Sequence, residues 1–168
     1  MRLVSFAHAV AFAVLIAGLM GAAVPRATPP VEDDPARIIF REGKLDVLRI
    51  HGALTPATPI DPATEGFAVA LRNADGLLYR AAVLPGDLRG RRRLTFLDRG
   101  APAGGLRDGL YKVSLLREGA RYHFGVQAYA DLSRATLADM TLRIDIGDDV
   151  FVKEAEWRRT RAGWRLTF

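Results

Sequence analysis

The sequence of 168 residues contains no cysteine, and beyond residue 23 it has only two serines and two histidines. The lack of cysteine excludes disulfide bonds, thiolate metal ligands and a lipid-modified cysteine anchor. Neither Ser114 nor Ser133 lies in the G-x-S-x-G motif of α/β-hydrolases. His51 and His123 each stand alone on a predicted strand, without a second ligand at metal-binding spacing. We therefore expect ordinary strand histidines and no serine-hydrolase site.

The N-terminal segment, residues 1–23, is predicted to be a signal peptide that forms a helix. Arg2 gives a positively charged n-region, an apolar run follows, and Gly21-Ala22-Ala23 resembles the small-residue cleavage site of signal peptides. An uncleaved membrane anchor is the alternative, because about 20 apolar residues can span a bilayer. Alanine and glycine weaken this run, so we expect cleavage, a periplasmic or secreted location, and no stable membrane span unless the segment is retained.

Residues 24–36 form a Pro-rich polar tether, and residues 37–168 form the folded domain. Four prolines in the tether disfavour a helix and favour extended backbone. In the domain, Phe67, Val69 and Leu71 alternate with small or polar residues, and Asn73-Ala74-Asp75-Gly76 supplies turn chemistry with a positive φ expected at Gly76. This pattern is typical of a β-hairpin.

Similar alternation recurs along the domain and predicts about eight or nine short strands, with no helix after the signal. Residues 110–116 and 121–130 form a second hairpin. Residues 131–139 lack alternation and predict a corner between sheets that contains one helical turn. Residues 55–66, 88–93 and 158–163 are predicted loops. The expected fold is all-β, a single antiparallel β-sandwich of the immunoglobulin-like or jelly-roll-like kind.

Several sequence segments of the domain form a distinctive set: DPATEGFAVALRNADGLLYRA, LPGD, YHFGVQAYADLSRATLADMTLRIDIGDDVFV, and a C-terminal W-x6-GWRL motif. With them the chain resembles an uncharacterised β-rich module of exported bacterial proteins, over about residues 36–168. The resemblance implies an exported β module. It implies no activity and no functional residues, because none is assigned to that family.

Acidic residues are candidates for two kinds of chemistry. Five aspartates lie close together in sequence and could supply the oxygen ligands that Ca²⁺ needs, although no D-x-D-x-D-G run is present; they are Asp131, Asp139, Asp145, Asp148 and Asp149. Glu154 and Glu156 lie on one face of a predicted strand and could form the carboxylate pair of a glycosidase. We expect turn residues and a solvated strand face instead, and hence no cofactor, with calcium as the alternative.

Two arginine clusters in predicted loops are the candidate contacts for an anionic ligand: Arg89, Arg91, Arg92 and Arg93, and then Arg158, Arg159 and Arg161. The chain has a formal net charge of +5. Basic loops attract phosphate, carboxylate or sulfate groups. Because export makes nucleic acid an improbable partner, we expect a polysaccharide or another partner in the bacterial envelope.

Aromatic residues near the C-terminus leave two interpretations open. Trp157 and Trp164 flank the last turn, and they form either core aromatics, which we expect, or an exposed platform for sugar rings. The terminal Phe168 is typical of outer-membrane barrels, but the predicted strands are shorter than the 9–11 residues that a spanning strand needs. We expect a non-enzymatic binding or interaction module of the envelope. The alternatives are a carbohydrate-active enzyme that uses loop carboxylates and a small outer-membrane barrel.

Overall fold

The computed structural model describes residues 35–103 and 107–166. The predicted signal peptide and residues 24–34 of the predicted tether lie outside the described residues. Within the described ranges, no helix is long and apolar enough to cross a membrane.

The described part of the chain is mostly β, as predicted, but it has twelve strands rather than eight or nine. One short helix, α1 (Pro62–Glu65), and one 3-10 turn (Ala101–Ala103) interrupt the strands. The strands are β1 (Ala36–Ile39), β2 (Asp46–Leu54), β3 (Phe67–Asn73), β4 (Gly76–Val83), β5 (Arg89–Gly90), β6 (Arg93–Leu97), β7 (Leu110–Glu118), β8 (Arg121–Ala130), β9 (Asp139–Ile146), β10 (Asp149–Glu156), β11 (Arg158–Thr160) and β12 (Gly163–Leu166).

The strands form two antiparallel sheets. The larger sheet has eight strands in the order β11-β12-β1-β2-β8-β7-β6-β5, and the smaller has four in the order β10-β9-β3-β4. Each sheet ends in two edge strands, so the described strands do not close into the single barrel considered as an alternative. The strand order also shows that most neighbouring strands are consecutive in the sequence and joined by hairpins. Strands β2 and β8, by contrast, come from distant parts of the chain.

The two sheets share one hydrophobic core, to which both contribute their inward-facing side chains. On β8, Tyr122, Phe124 and Val126 are buried at alternate positions, and on β9 Leu142 and Ile144 are buried in the same way. Successive side chains of a strand point to opposite faces, so this alternation puts one face in the core and the other in solvent. The alternation that the sequence predicts along the domain is confirmed in these two strands.

Three tight hairpins form, β3–β4, β7–β8 and β9–β10, and the first two are the predicted ones. Gly76 has a φ of 120°, in the positive range expected for it. The Asn73 side chain accepts a hydrogen bond from the backbone N–H of Asp75 at 3.0 Å, which stabilises the same turn.

Three local predictions are wrong. The expected loop 55–66 contains α1, because Asp61 caps it by accepting from Ala63 N at 3.2 Å and Pro62 stands at its first position. Both predicted arginine loops contain short edge strands, β5 and β11. The corner at residues 131–138 does pass the chain between the sheets, but it contains a turn instead of a helical turn.

The corner is held by Asp46, which is buried at the start of β2. Its two carboxylate oxygens accept hydrogen bonds from Leu132 N at 3.0 Å and from Arg41 N at 2.9 Å. One side chain therefore pairs two loop N–H groups, that of Leu132 buried and that of Arg41 partly buried.

Candidate functional site

The outward face of the eight-stranded sheet contains a groove of about 470 Å³, which we call the outer groove. It lies over the centre of the sheet, where β2, β8 and β7 run side by side. Its polar lining comes from outward positions of these strands and of β6: Arg49, His51, Arg93, Lys112, Ser114, His123 and Gln127. Because the groove is built on paired strands, its side chains are held by a rigid scaffold.

Gly125 forms the floor of the outer groove. In the sheet register it lies directly between His51 on β2 and Ser114 on β7. A Cβ atom built at Gly125 would lie 3.2 Å from Nδ1 of His51, so the imidazole ring covers the glycine backbone closely. A glycine in a strand often marks a place where another group approaches the backbone closely, and here the His51 ring is that group.

The outer groove is positively charged. Arg49, Arg93 and Lys112 line it, and none of its lining residues is a carboxylate. Within the described residues, no ion pair joins these three cations to an acid. A concave site lined by one sign of charge concentrates ligands of the opposite sign.

The groove also brings together three side chains that the sequence leaves far apart: His51, His123 and Ser114. Nε2 of His123 lies 3.3 Å from a carboxylate oxygen of Glu118, near one end of the groove. No hydrogen bond among the described residues joins Ser114 to either histidine. The three groups present hydrogen-bond donors and acceptors beside the cations.

The two predicted arginine clusters lie at opposite edges of the eight-stranded sheet and do not form one site. Arg89 and Arg93 belong to β5 and β6 at one edge, whereas Arg158 and Arg159 lie on β11 at the other. Arg161 follows β11 in the turn to β12. Of all the predicted contacts, only Arg93 lines the outer groove.

Three other arginines of the two predicted clusters contact different parts of the surface. The Arg159 guanidinium lies 5.0 Å from the ring centroids of both Phe40 and Trp164, so it stacks on aromatic faces at the sheet edge. Arg91 and Arg92 line a smaller cavity of about 200 Å³ beside α1. The clusters therefore cover separate parts of the surface.

The predicted acidic candidates do not converge. Among the described residues, no group of three or more histidine, aspartate or glutamate side chains is placed to hold a metal ion. Asp131 accepts a hydrogen bond from Ser133 N at 3.0 Å, and this bond holds the pKa of its carboxyl below the usual range. Asp145 accepts from Arg143 at 2.8 Å. Glu154 and Glu156 share one exposed face of β10, as predicted, on the smaller sheet and away from the outer groove.

Both tryptophans are buried, as expected. Trp157 is 2% exposed and Trp164 is 7% exposed. The indole Nε1 of Trp164 donates to the carbonyl oxygen of Ala135, and the backbone N–H of Trp157 donates to that of Ala138. Both contacts tie the last strands to the corner between the sheets, so neither ring is available as a sugar platform.

No model of a known protein family, no curated protein and no solved structure matches this chain.

Proposed function

We propose that this chain is an exported, non-enzymatic binding module of the bacterial envelope, and that it binds an anionic sugar in the outer groove. The proposed domain is a β-sandwich of the immunoglobulin-like or jelly-roll-like kind, delivered by the N-terminal signal. The resemblance to an exported β module agrees with export and implies no binding role. The proposal is carried by one observation, the polar groove over Gly125 that three cations line.

The ligand class follows from the groups in the groove. Arg49, Arg93 and Lys112 complement a carboxylate, sulfate or phosphate. Ser114 and Gln127 offer neutral hydrogen-bonding groups of the kind that pair with sugar hydroxyls. A volume of about 470 Å³ suits a ligand of a few sugar rings, since small-molecule sites span about 300–1,000 Å³.

The test is calorimetric titration of the purified protein with a trigalacturonate, a short sugar acid, at low salt. The informative variant is Gly125→Val, which adds a side chain to the groove floor. Gly125 has ordinary strand backbone and faces outward, so valine suits the strand conformation once the exposed His51 ring moves aside. We expect the variant to keep its melting temperature and to lose binding, with Gly125→Ala intermediate because its Cβ only displaces His51 by a few tenths of an ångström.

A matched control is the double variant Arg72→Gln and Arg80→Gln, which removes two exposed cations from the smaller sheet. It should bind the trigalacturonate as the parent does. Failure of the parent to bind, or unchanged binding by Gly125→Val, contradicts the proposed site. Release of shorter products from the sugar during the titration contradicts a non-enzymatic role.

A further inference from the structure

Beyond the outer groove, cations line up across the eight-stranded sheet in direct register. Arg158 pairs with Arg165, Arg165 with Arg37, and Arg37 with Arg49. Arg49 then pairs with Gln127, and Gln127 with Lys112. We call these five cations the cation row: Arg158, Arg165, Arg37, Arg49 and Lys112, on strands β11, β12, β1, β2 and β7. The row includes two residues of the outer groove and extends from it to the edge strand β11.

All five cations of the row are exposed, and all lie on the outward face. Residues directly opposite each other on neighbouring strands point to the same side of a sheet. Within the described strands β12, β1, β2, β8 and β7, the outward positions carry one carboxylate, that of Glu118 at the end of β7. The opposite surface of the molecule is mixed in sign, since Arg143 pairs with Asp145 on β9. Positive charge is therefore concentrated on the face of the larger sheet.

The row is unfavourable for folding on its own. Like charges directly opposite each other across strands destabilise a sheet, because their Cβ atoms lie only about 4.5–5.5 Å apart. Arg37 has an arginine on each side, at Arg165 and at Arg49. Among the described residues, no ion pair with an acid relieves these contacts. A bound anion that runs along the row would relieve all of them together.

We propose that the cation row binds a linear anionic polysaccharide, a chain of sugar acids that lies across the strands with one end in the outer groove. This proposal rests on the proposed function and extends it from a short ligand to a polymer. Neighbouring strands lie about 4.8 Å apart, so the row spans roughly 24 Å. A polyuronate carries one carboxylate on every sugar ring, and that repeat is comparable to the strand spacing.

The shape of the row favours a line of charge over other anionic partners. A membrane surface is a plane and is bound by broad patches that also insert apolar side chains, whereas strands β11, β12, β1 and β2 expose no large hydrophobic side chain. Single-stranded nucleic acid is bound through aromatic side chains that stack on bases, and strands β11, β12, β1 and β2 have no Phe, Tyr or Trp at an outward position. Both partners are outcomes of the test below.

The experiment compares a polygalacturonate polymer with the trigalacturonate, using the double variant Arg37→Gln and Arg165→Gln. These residues belong to the row but do not line the outer groove. At low salt we expect the variant to bind the polymer about tenfold more weakly than the parent, since each exposed cation contributes a few-fold, and to bind the trimer as the parent does. Affinity of the parent should rise with oligomer length until the sugar covers the row.

The matched control is again Arg72→Gln with Arg80→Gln, which makes the same change in net charge on the other sheet. If this control loses as much affinity for the polymer, the attraction comes from overall charge, and the proposed binding by the cation row is wrong. Polymer binding that Arg37→Gln with Arg165→Gln does not weaken also overturns it, while trimer binding at the groove would leave the proposed function standing. If neither sugar binds, the proposed function itself fails. If phosphatidylglycerol vesicles or an oligothymidylate bind through the cation row and the polymer does not, the partner is a membrane surface or a nucleic acid, and the proposed polysaccharide is wrong.

Discussion

Two buried tyrosine hydroxyls, one without a hydrogen-bond partner among the described residues and one with a partner, allow a test of how much an unpaired polar group costs in the core. Tyr79 on β4 is 4% exposed, and its hydroxyl has no hydrogen-bond partner among the described residues. Tyr122 on β8 is 5% exposed, and its hydroxyl donates to the carbonyl oxygen of Ile60 at 2.9 Å. The substitution of tyrosine by phenylalanine removes the same atom at both positions, so the difference in result reports the partner.

The magnitudes follow from the cost of an unpaired polar group. An unsatisfied buried group costs about 1–3 kcal/mol, whereas a typical intramolecular hydrogen bond contributes only about 0.5–1.5 kcal/mol net. Tyr79→Phe therefore removes a penalty, and we expect it to raise the free energy of unfolding by about 1 kcal/mol. Tyr122→Phe leaves the carbonyl of Ile60 without its partner, and we expect a loss of about 1–2 kcal/mol.

The assay is urea denaturation at neutral pH, followed by the fluorescence of the buried Trp157 and Trp164. Equal m-values would show that the variants change stability and not the surface exposed on unfolding. A clear loss of stability in Tyr79→Phe refutes the reasoning, because it would mean that the hydroxyl contributes to the fold. Equal effects of the two substitutions refute it as well.

Alkaline pH gives a second measurement on the same tyrosine. Burial, and after it the negative charge of Asp108, raises the pKa of Tyr79 above its ordinary value. The folded state then keeps a proton that the unfolded state releases from about pH 10 upward. Stability from this group is fully present below pH 10 and falls as pH rises above it, by up to about 1.4 kcal/mol per pH unit. The advantage of Tyr79→Phe over the parent should widen above pH 10, and a constant difference contradicts the assignment.

Further substitutions test the corner, two turns and the cation row. Asp46→Ala leaves two backbone N–H groups without an acceptor, so we expect a loss of about 3 kcal/mol in urea denaturation, and less for Asp46→Asn. Gly109→Ala places a Cβ atom in collision with a backbone carbonyl oxygen and should prevent folding, whereas Gly43→Ala, also at positive φ but in open space, should cost about 1–2 kcal/mol. Arg37→Gln should raise the melting temperature at low ionic strength, an advantage that disappears in high salt.

The parts of the fold that the sequence predicts well are those set by neighbouring residues. β8 and β9 alternate strictly between core and solvent, and the turn before Gly76 carries the residues that a hairpin requires. In these elements the pattern, the turn chemistry and the burial agree, so local reasoning suffices. The short strands β5 and β11 escape such reasoning because segments of two and three residues have no readable alternation, and only pairing with β6 and β12 makes them strands.

The outer groove lies beyond such reasoning because it depends on the register between distant strands. The sequence singles out arginines that are adjacent in the chain, from Arg89 to Arg93, yet only Arg93 reaches the groove. His51 and Ser114 come together because each pairs with Gly125, across two different strand contacts. The one local signal was the glycine itself, in the middle of an otherwise regular strand pattern, which often marks a bulge or a ligand.

The cation row shows the same dependence on register and adds an energetic argument. A shift of one residue in any strand pairing would move its arginine from the outward face to the core face, where an unpaired charge is far more costly. The hydrophobic residues that alternate with the cations, Ile38 and Leu48 among them, therefore fix the row in place while they fill the core. Folding tolerates repulsion among four arginines because that repulsion is spread over an exposed face and screened by salt. The same repulsion is unscreened at low salt and is released by a bound polyanion, so the parent protein should gain thermal stability from polygalacturonate at low salt, and Arg37→Gln with Arg165→Gln should gain much less.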